Sequence, residues 1–346
     1  MERFQYAFTI LYKFGFWLKS SAGITIIITI LVAWAATLQQ GSYILINTFV
    51  TGGMWALMAV GLALLFGVMN ISNFAHGEFF MVGTLTAYYI FTPISNYLFN
   101  NPNPTLAMFL PLIAILGATI AGIIFGIISE KLVFYQLRRR SKEQWLMNCF
   151  LLTLGISAIL IYGHQLVFGT TYKGIVRYWD GPSISIFNVY ISRDRLFASV
   201  FAIIVILLFS LYMKFTRIGQ AMRAVSQDEA GALMVGISVN WLQLIAMSIS
   251  CGLAALAGGT LLFMYPSYPT VGLEPLYNSW FVLILVGWGN IYGAIVGGYI
   301  VALLQVITRT YVGEGWEYVI PVLLVSVLLL FKPSGLFGSK VRGIWD

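Results

Sequence analysis

A short polar segment, "ISNFAHGEFF" at residues 71–80, interrupts an otherwise apolar run from Tyr43 to Ile90. Glu78 is the only formally charged side chain in that run, and His76 is its only imidazole. Ionisable groups inside apolar segments are costly, and they commonly belong to a transport path or a proton relay. Three interpretations follow: a path or gate, a proton relay through His76 and Glu78, or a purely structural role.

The residues around these two side chains predict a break between two helices. This stretch contains several residues that are unfavourable inside a helix, namely Gly67, Asn70, Ser72, Asn73 and Gly77. We expect a new helix to begin near Ala75, which puts Glu78 in its first turn, where free N–H groups and the helix dipole stabilise a carboxylate. In the structural interpretation, Asn73, His76 and Glu78 bond to one another and to the free backbone groups.

A second break is predicted where the Gly-x-x-Asn-Ile pattern of Gly67 to Ile71 recurs, at Gly287 to Ile291. Non-helical backbone at membrane depth occurs only where it is buried in protein or lines a cavity. The candidate residues for a translocation path or gate are therefore the polar residues of both breaks, Asn70, Asn73, His76, Glu78 and Asn290.

The elements that position these residues are membrane helices. Of 346 residues, 60% are hydrophobic and only 9% are charged, whereas a soluble domain carries about 25% charged residues. Many apolar runs approach the ~20 residues that a helix needs to cross a bilayer. The fold class predicted is an all-α polytopic membrane protein with about 8–10 transmembrane helices, some broken or short. The expected segments are 21–38, 43–67, 78–99, 106–129, 147–168, 197–216, 242–265, 276–289, 292–311 and 318–332.

The net charge of +7 indicates membrane orientation and not nucleic-acid binding, because cytoplasmic loops of membrane proteins are rich in Lys and Arg. Basic residues cluster near the N-terminus, in the 130–146 loop, in the 217–241 loop and in the tail; they include Arg3, Lys13, Lys19, Arg138, Arg139, Arg140, Lys142, Arg217, Arg223, Lys332, Lys340 and Arg342. This pattern favours a multi-pass protein with both termini in the cytoplasm. The extracytoplasmic loop 169–196 also contains basic residues, which weakens the bias, and its turn residues Asp180 to Pro182 predict a small hairpin or a surface cap.

The 217–241 loop predicts a short surface helix at about residues 227–235. Ser226 and Glu229 have the spacing of a capping box, and Gly236 is typical of a helix end. Ala230, Leu233 and Met234 would lie exposed on one face, which suits insertion into a groove of a soluble partner. An ordinary linker helix is the alternative.

The chain lacks the sequence patterns of the enzyme classes that were considered. A G-x-x-x-x-G-K-[ST] phosphate loop, an H-E-x-x-H zinc motif and a G-x-S-x-G nucleophile motif are all missing from the sequence. Its two cysteines, Cys149 and Cys251, have no metal-site spacing. The sequence thus predicts neither an enzyme nor a bound metal or cofactor.

Three stretches resemble the permeases of branched-chain amino acid ABC transporters. They are "GLALLFGVMNISNFAHGEFFMVGTLTAY", "RIGQAMRAVSQDEAGALMVGISVN" and "GWGNIYGAIVGGYIVALL" with "KPSGLFG", in the family's order from Tyr43 to Gly338. The resemblance implies a single permease domain over residues 1–346 in the cytoplasmic (inner) membrane. It also implies an identical or homologous second permease, cytoplasmic ABC ATPase subunits and an extracytoplasmic solute-binding protein.

In that family the 227–235 helix would be the coupling helix seated on the ATPase. The residues expected to take part in coupling are Arg223, Gln227, Asp228, Glu229, Leu233 and Gly236. The solute would be a branched-chain or related small amino acid, an amide or urea. An ion-coupled secondary transporter or channel that uses His76 and Glu78, and a structural subunit of a membrane complex, are the alternatives.

Overall fold

The computed structural model describes residues 21–140, 145–186 and 188–337. The helices are α1 Ser21–Gln40, α2 Tyr43–Met69, α3 His76–Asn100, α4 Pro104–Ser129, α5 Tyr135–Arg140, α6 Trp145–Phe168, α7 Arg193–Phe215, α8 Arg217–Gln227, α9 Glu229–Met234, α10 Val239–Thr260, α11 Leu273–Val286, α12 Ile291–Tyr311 and α13 Val319–Phe331. A π-helical turn, Glu130–Phe134, joins α4 to α5, and a 3-10 turn, Glu314–Trp316, precedes α13. The basic residues Arg3, Lys13, Lys19, Lys142, Lys340 and Arg342, on which part of the predicted orientation rests, lie outside the described residues.

The predicted all-α polytopic fold is confirmed. Seven helices of the described chain are long and apolar enough to cross a membrane, and two shorter apolar helices lie at Gly23–Gln39 and Leu273–Val286. Each of the ten expected segments contains a helix. The segment expected at 276–289 is the 14-residue helix α11, which is about 21 Å long and too short for a ~30 Å hydrocarbon layer.

Helix α2 is the centre of the bundle and is buried over most of its length. It packs antiparallel against α12. Gly67, near the end of α2, contacts Gly289 just before α12, and Ala56, nearer the middle of α2, contacts Gly298 inside α12. Small residues let the two backbones approach closely, which is a common way to pack helices where there is no water to drive association.

Helices α3 and α11 both begin beside the middle of the bundle. His76, the first residue of α3, contacts the carbonyl of Met58, which precedes the end of α2 at Met69 by about 16 Å of helix. Gly272, which precedes α11, contacts Gly77. The amino ends of these two helices therefore meet at mid-depth, and α11 runs from there to the end of the bundle where α2 ends.

The predicted hairpin exists, but the expected turn residues are wrong. Strand β1, Ile184–Ile186, pairs antiparallel with strand β2, Val189–Ile191. The turn contains Asn188, which has the left-handed φ of +64°, and Asp180 to Pro182 precede the first strand. Asn tolerates this conformation better than most residues do, so Asn188 was the better sequence signal.

Candidate functional site

The predicted break between α2 and α3 is confirmed. Helix α2 ends at Met69, and the next residue, Asn70, adopts a left-handed φ of +52° while its N–H bonds to the Phe66 carbonyl. The side-chain Oδ1 of Asn73 then accepts the N–H of Ala75 at 3.0 Å. Local amide bonds of this kind compete with helix hydrogen bonding, which explains why the chain reverses at these residues.

His76 is fully buried and bonds to the α2 backbone. Its Nε2 lies 3.2 Å from the carbonyl oxygen of Met58, so this nitrogen is the one that carries the proton. The ring has room because residue 61 is a glycine: a Cβ there would lie only 3.2 Å from the His76 Cε1. His76 thus fixes the start of α3 against the middle of α2.

Glu78 lies in the first turn of α3, as expected, and its side chain is 2% exposed. The Ser157 hydroxyl of α6 donates to Glu78 Oε1 at 2.6 Å. The expected bonding of Asn73, His76 and Glu78 to one another is wrong, because His76 bonds to α2 and Glu78 to α6. The expected bonding to a free backbone group is confirmed for Asn73, which accepts the N–H of Ala75. Ser157 was missed because an isolated serine in an apolar helix carries no sequence signal.

Phe74 ties the same break to two further helices. Its ring stacks on Trp280 of α11 with a centroid distance of 4.8 Å and meets Phe150 of α6 edge to face at 5.1 Å. Aromatic pairs at these distances contribute about 0.5–1.5 kcal/mol beyond the area that they bury. The break is therefore part of the packed core and is not an open cavity.

The second predicted break, between α11 and α12, is also confirmed. Gly287 and Gly289 have φ values of +106° and +74°, and Asn290 caps α12 by accepting the N–H of Gly293 at 2.9 Å. The Asn290 amide nitrogen also donates to the carbonyl of Phe337. Asn290 thus links the break to the segment that follows α13.

The 217–241 segment differs from its expected form in two respects. Residues 217–227, expected as a basic turn, form the amphipathic helix α8, which buries Gly219, Met222 and Val225. The capping box is wrong, since Ser226 lies inside α8 and its hydroxyl donates back to the Arg223 carbonyl at 2.8 Å. Serine hydroxyls commonly bond in this way within a helix.

The exposed face and the end of the short helix agree with the prediction. Helix α9 starts after Asp228 and leaves Leu233 and Met234 56% and 89% exposed. Gly236 ends it with a φ of +82° and an N–H bond to the Leu233 carbonyl. Among the other expected coupling residues, Gln227, Asp228 and Glu229 are exposed at the α8–α9 junction. Arg223 turns back to the Lys214 carbonyl at the end of α7.

A polar network near the amino end of α11 was missed from the sequence. Trp55 donates to Gln305 at 2.8 Å, and Gln305 donates to Asn278 at 2.6 Å. One turn away, the hydroxyls of Tyr265 and Tyr318 both donate to Glu274. The residues of this network come from five separate segments of the chain, so their spacing in the sequence could not have revealed it.

Taken together, the described residues form two packed helix breaks and a short helix with an exposed apolar face. Within the described ranges, no group of three or more His, Cys, Asp and Glu residues could hold a metal ion. His76 and Glu78 bond to different helices and do not form a nucleophile–base pair.

A family model described as "Branched-chain amino acid transport system / permease component" matches residues 44–330. The permease protein BraD of Pseudomonas aeruginosa is 27% identical over 300 residues, which cover 85% of this chain and 94% of BraD. A probable LivH of Methanocaldococcus jannaschii is 28% identical over 314 residues, which cover 85% of this chain and 92% of that protein.

Among solved structures, a chain of PsaBC from Streptococcus pneumoniae in complex with Fab aligns with 87% of this chain and 96% of its own length, at 12% identity and a TM-score of 0.44. A similarity that low does not define the fold by itself. The family model covers most of the chain, including both helix breaks and the α8–α9 segment. The chain therefore belongs to the family of branched-chain amino acid transport system permease components.

Proposed function

We propose that this chain is the membrane permease subunit of an ATP-binding-cassette importer for branched-chain amino acids or related small amino acids or amides. The observation that carries the proposal is the family match over residues 44–330, supported by relatives described as branched-chain amino acid permeases. The domain is a single unit over residues 1–346, and the chain itself does not hydrolyse ATP.

The α8–α9 segment is the proposed coupling element. Its exposed Leu233 and Met234 give an apolar face that an ATPase groove would cover, because an amphipathic helix binds through such a face. The positive φ of Gly236 holds the end of this face in one conformation. Gln227, Asp228 and Glu229 supply polar contacts at the edge, and Arg223 fixes α8 to the end of α7.

The proposed orientation places α8–α9 and the basic helix α5 in the cytoplasm, in the cytoplasmic (inner) membrane. Arg138, Arg139 and Arg140 lie in α5, which agrees with the excess of basic residues in cytoplasmic loops. The 169–196 loop then faces an extracytoplasmic solute-binding protein, and both termini lie in the cytoplasm.

A second permease subunit, identical or homologous, completes the proposed path. The segments Met147–Phe168 and Glu314–Phe331 support this, because only 17% and 11% of their most apolar stretches are buried within the chain. Their outer faces are available for a partner subunit as well as for lipid.

Asn70, Asn73, His76, Glu78 and Asn290 are proposed to build the gate of the path. The burial of His76 and Glu78 supports a role in holding the gate helices, since a side chain that lines an open path would contact water. Asn70 and Asn290 end and begin helices at the same end of the bundle.

The proposal is tested by reconstituting the chain with its ATPase, its second permease and its binding protein in proteoliposomes. Uptake of labelled leucine is expected only when ATP, the ATPase and the binding protein are all present. Leucine uptake by this chain alone, driven by an ion gradient, would refute the proposal in favour of a secondary transporter, for which broken helices are the supporting feature.

A further inference from the structure

A small polar cavity lies between α2, α7, α11, α12 and the start of α13, and none of the proposed gate residues lines it. It has a volume of about 80 Å³, and its walls include Trp55, Arg195, Glu274, Arg309 and Glu317. Trp55 is almost completely buried, whereas the Arg309 side chain is 50% exposed. The cavity thus has a closed floor at Trp55 and an accessible rim at Arg309.

The charges of this cavity are only half paired. Arg309 and Glu317 form an ion pair at 2.8 Å. Within the described ranges, no carboxylate lies within ion-pair distance of Arg195, and no cationic group lies within that distance of Glu274. Arg195 and Glu274 are each half-buried, and removing a charge partly from water without a partner is costly. The cavity therefore contains one cation and one anion whose pairing is incomplete.

Arg195 and Glu274 each have an atom that takes part in none of the hydrogen bonds described here. The Nε of Arg195 is buried without a hydrogen-bond partner, while one of its terminal nitrogens donates to Asn47 Oδ1 at 3.3 Å. Both Tyr265 and Tyr318 donate to Oε1 of Glu274, at 2.8 and 2.7 Å, so Oε2 takes part in neither bond. Arg195 can donate to an anion, and Glu274 can accept from a cation.

The volume limits what can bind. Since a cavity of about 150 Å³ holds benzene, 80 Å³ gives room for roughly three non-hydrogen atoms, more than one water and less than a whole leucine. The charged end of an α-amino acid has five non-hydrogen atoms, with its ammonium and its carboxylate on the same carbon, so it would fill this volume and extend to the open rim at Arg309. Its side chain would extend past the rim, where Met264 offers apolar contact.

We propose that this cavity binds the zwitterionic end of a free α-amino acid, with the carboxylate on Arg195 and the ammonium on Glu274. The proposal rests on the proposed function and narrows its solutes: free amino acids bind at this subsite, and urea and simple amides do not. Because Arg195, Arg309 and Glu317 lie at the helix ends on the proposed extracytoplasmic side, the site would receive solute before it reaches the gate.

The test uses the full-length permease in lipid nanodiscs, without its binding protein, and measures equilibrium binding of radiolabelled leucine. Unlabelled leucine and alanine are expected to compete. Leucinamide, which lacks the carboxylate, 4-methylpentanoate, which lacks the ammonium, and urea are each expected to compete about tenfold less well or worse, because each loses a charge-assisted hydrogen bond. This comparison needs no variant protein.

Two variants locate the site. Glu274→Gln and Arg195→Gln are each expected to weaken leucine binding about tenfold or more, after size-exclusion chromatography has confirmed that they are folded. Glu314→Gln is the matched control, because this exposed carboxylate is near Arg309 but does not line the cavity, and it should bind leucine like the wild type. Any one of three results would overturn the proposal: no leucine binding by the wild type, equal competition by the single-charge analogues, or wild-type affinity in both variants.

The two proposals fail in different ways. ATP-driven uptake by the complete wild-type transporter, together with unchanged leucine binding in Glu274→Gln and Arg195→Gln, would overturn the cavity site alone. Leucine binding that depends on Arg195 and Glu274, without partner-dependent uptake, would refute the proposed importer and leave the cavity site standing.

Discussion

The contact between Gly77 and Gly272, where α3 and α11 meet at mid-depth, gives a quantitative prediction. A Cβ atom on residue 77 would lie 2.8 Å from the Gly272 carbonyl carbon and 3.0 Å from the Leu276 Cβ. Neither atom can rotate away, because one is backbone and the other is fixed to it. To restore ordinary contact, Gly77→Ala must separate the two helix starts by about 1 Å, and overpacking of this kind costs about 1–3 kcal/mol.

Gly155→Ala is the matched control, since a Cβ on Gly155 in α6 would meet nothing within 4 Å. Replacing a helix glycine by alanine stabilises a helix by about 0.5–1 kcal/mol, and this gain is shared by both variants. The difference between them therefore isolates the overpacking at the α3–α11 contact. Gly53→Ala is a mild case, because the nearest atom would lie at 3.5 Å.

The measurement is the midpoint of heat denaturation in detergent, followed by size-exclusion chromatography, with leucine uptake in the complete transporter as a second readout. The expected order of midpoints is Gly155→Ala highest, Gly53→Ala next and Gly77→Ala lowest. Uptake should fall in Gly77→Ala, because the separated helices carry the proposed gate. A midpoint of Gly77→Ala equal to or above that of Gly155→Ala would refute the tight contact.

Three further changes test other parts of the molecule. Leu233→Asp should weaken ATPase binding about tenfold or more, because it puts a charge on the apolar face of α9; unchanged co-purification with the ATPase would contradict a coupling role. Glu78→Gln should retain uptake with an unchanged pH profile, because glutamine keeps an Oε1 acceptor for Ser157; complete loss of uptake would instead favour a proton step. Gln305→Leu removes the acceptor of the buried Trp55 N–H, which costs about 1–3 kcal/mol, and should lower the denaturation midpoint; an unchanged midpoint would show that the network adds no stability.

The two helix breaks could be predicted from the sequence because their causes are local. Asn70 takes a left-handed φ and Asn290 caps the next helix with its own side chain, and both effects follow from the residue type. The same reasoning failed at Ser226. There the helix continues to Gln227 because α8 packs its apolar face on the bundle, and tertiary packing outweighs a local capping signal.

The depth at which α3 begins could not be predicted, since it depends on contacts between residues far apart in the chain. His76 reaches Met58, Glu78 reaches Ser157 and Gly77 reaches Gly272. The cavity beside Glu274 was hidden for the same reason, because its phenols come from Tyr265 and Tyr318. Apolar periodicity locates helices, but it does not give their relative heights.

Helix α11 connects the proposed cavity site to the proposed gate, because both of its ends are held by other segments. At its amino end, Gly272 is packed on Gly77, and Glu274 accepts bonds from residues outside the helix. At its other end, the carbonyls of Leu285 and Val286 accept the N–H groups of Leu336 and Phe337 at 2.8 and 2.9 Å. A helix this short, bonded at both ends, is expected to move as one piece with the segment after α13. A shift of Glu274 on solute binding would therefore displace the start of α3 and the break at Asn290 together.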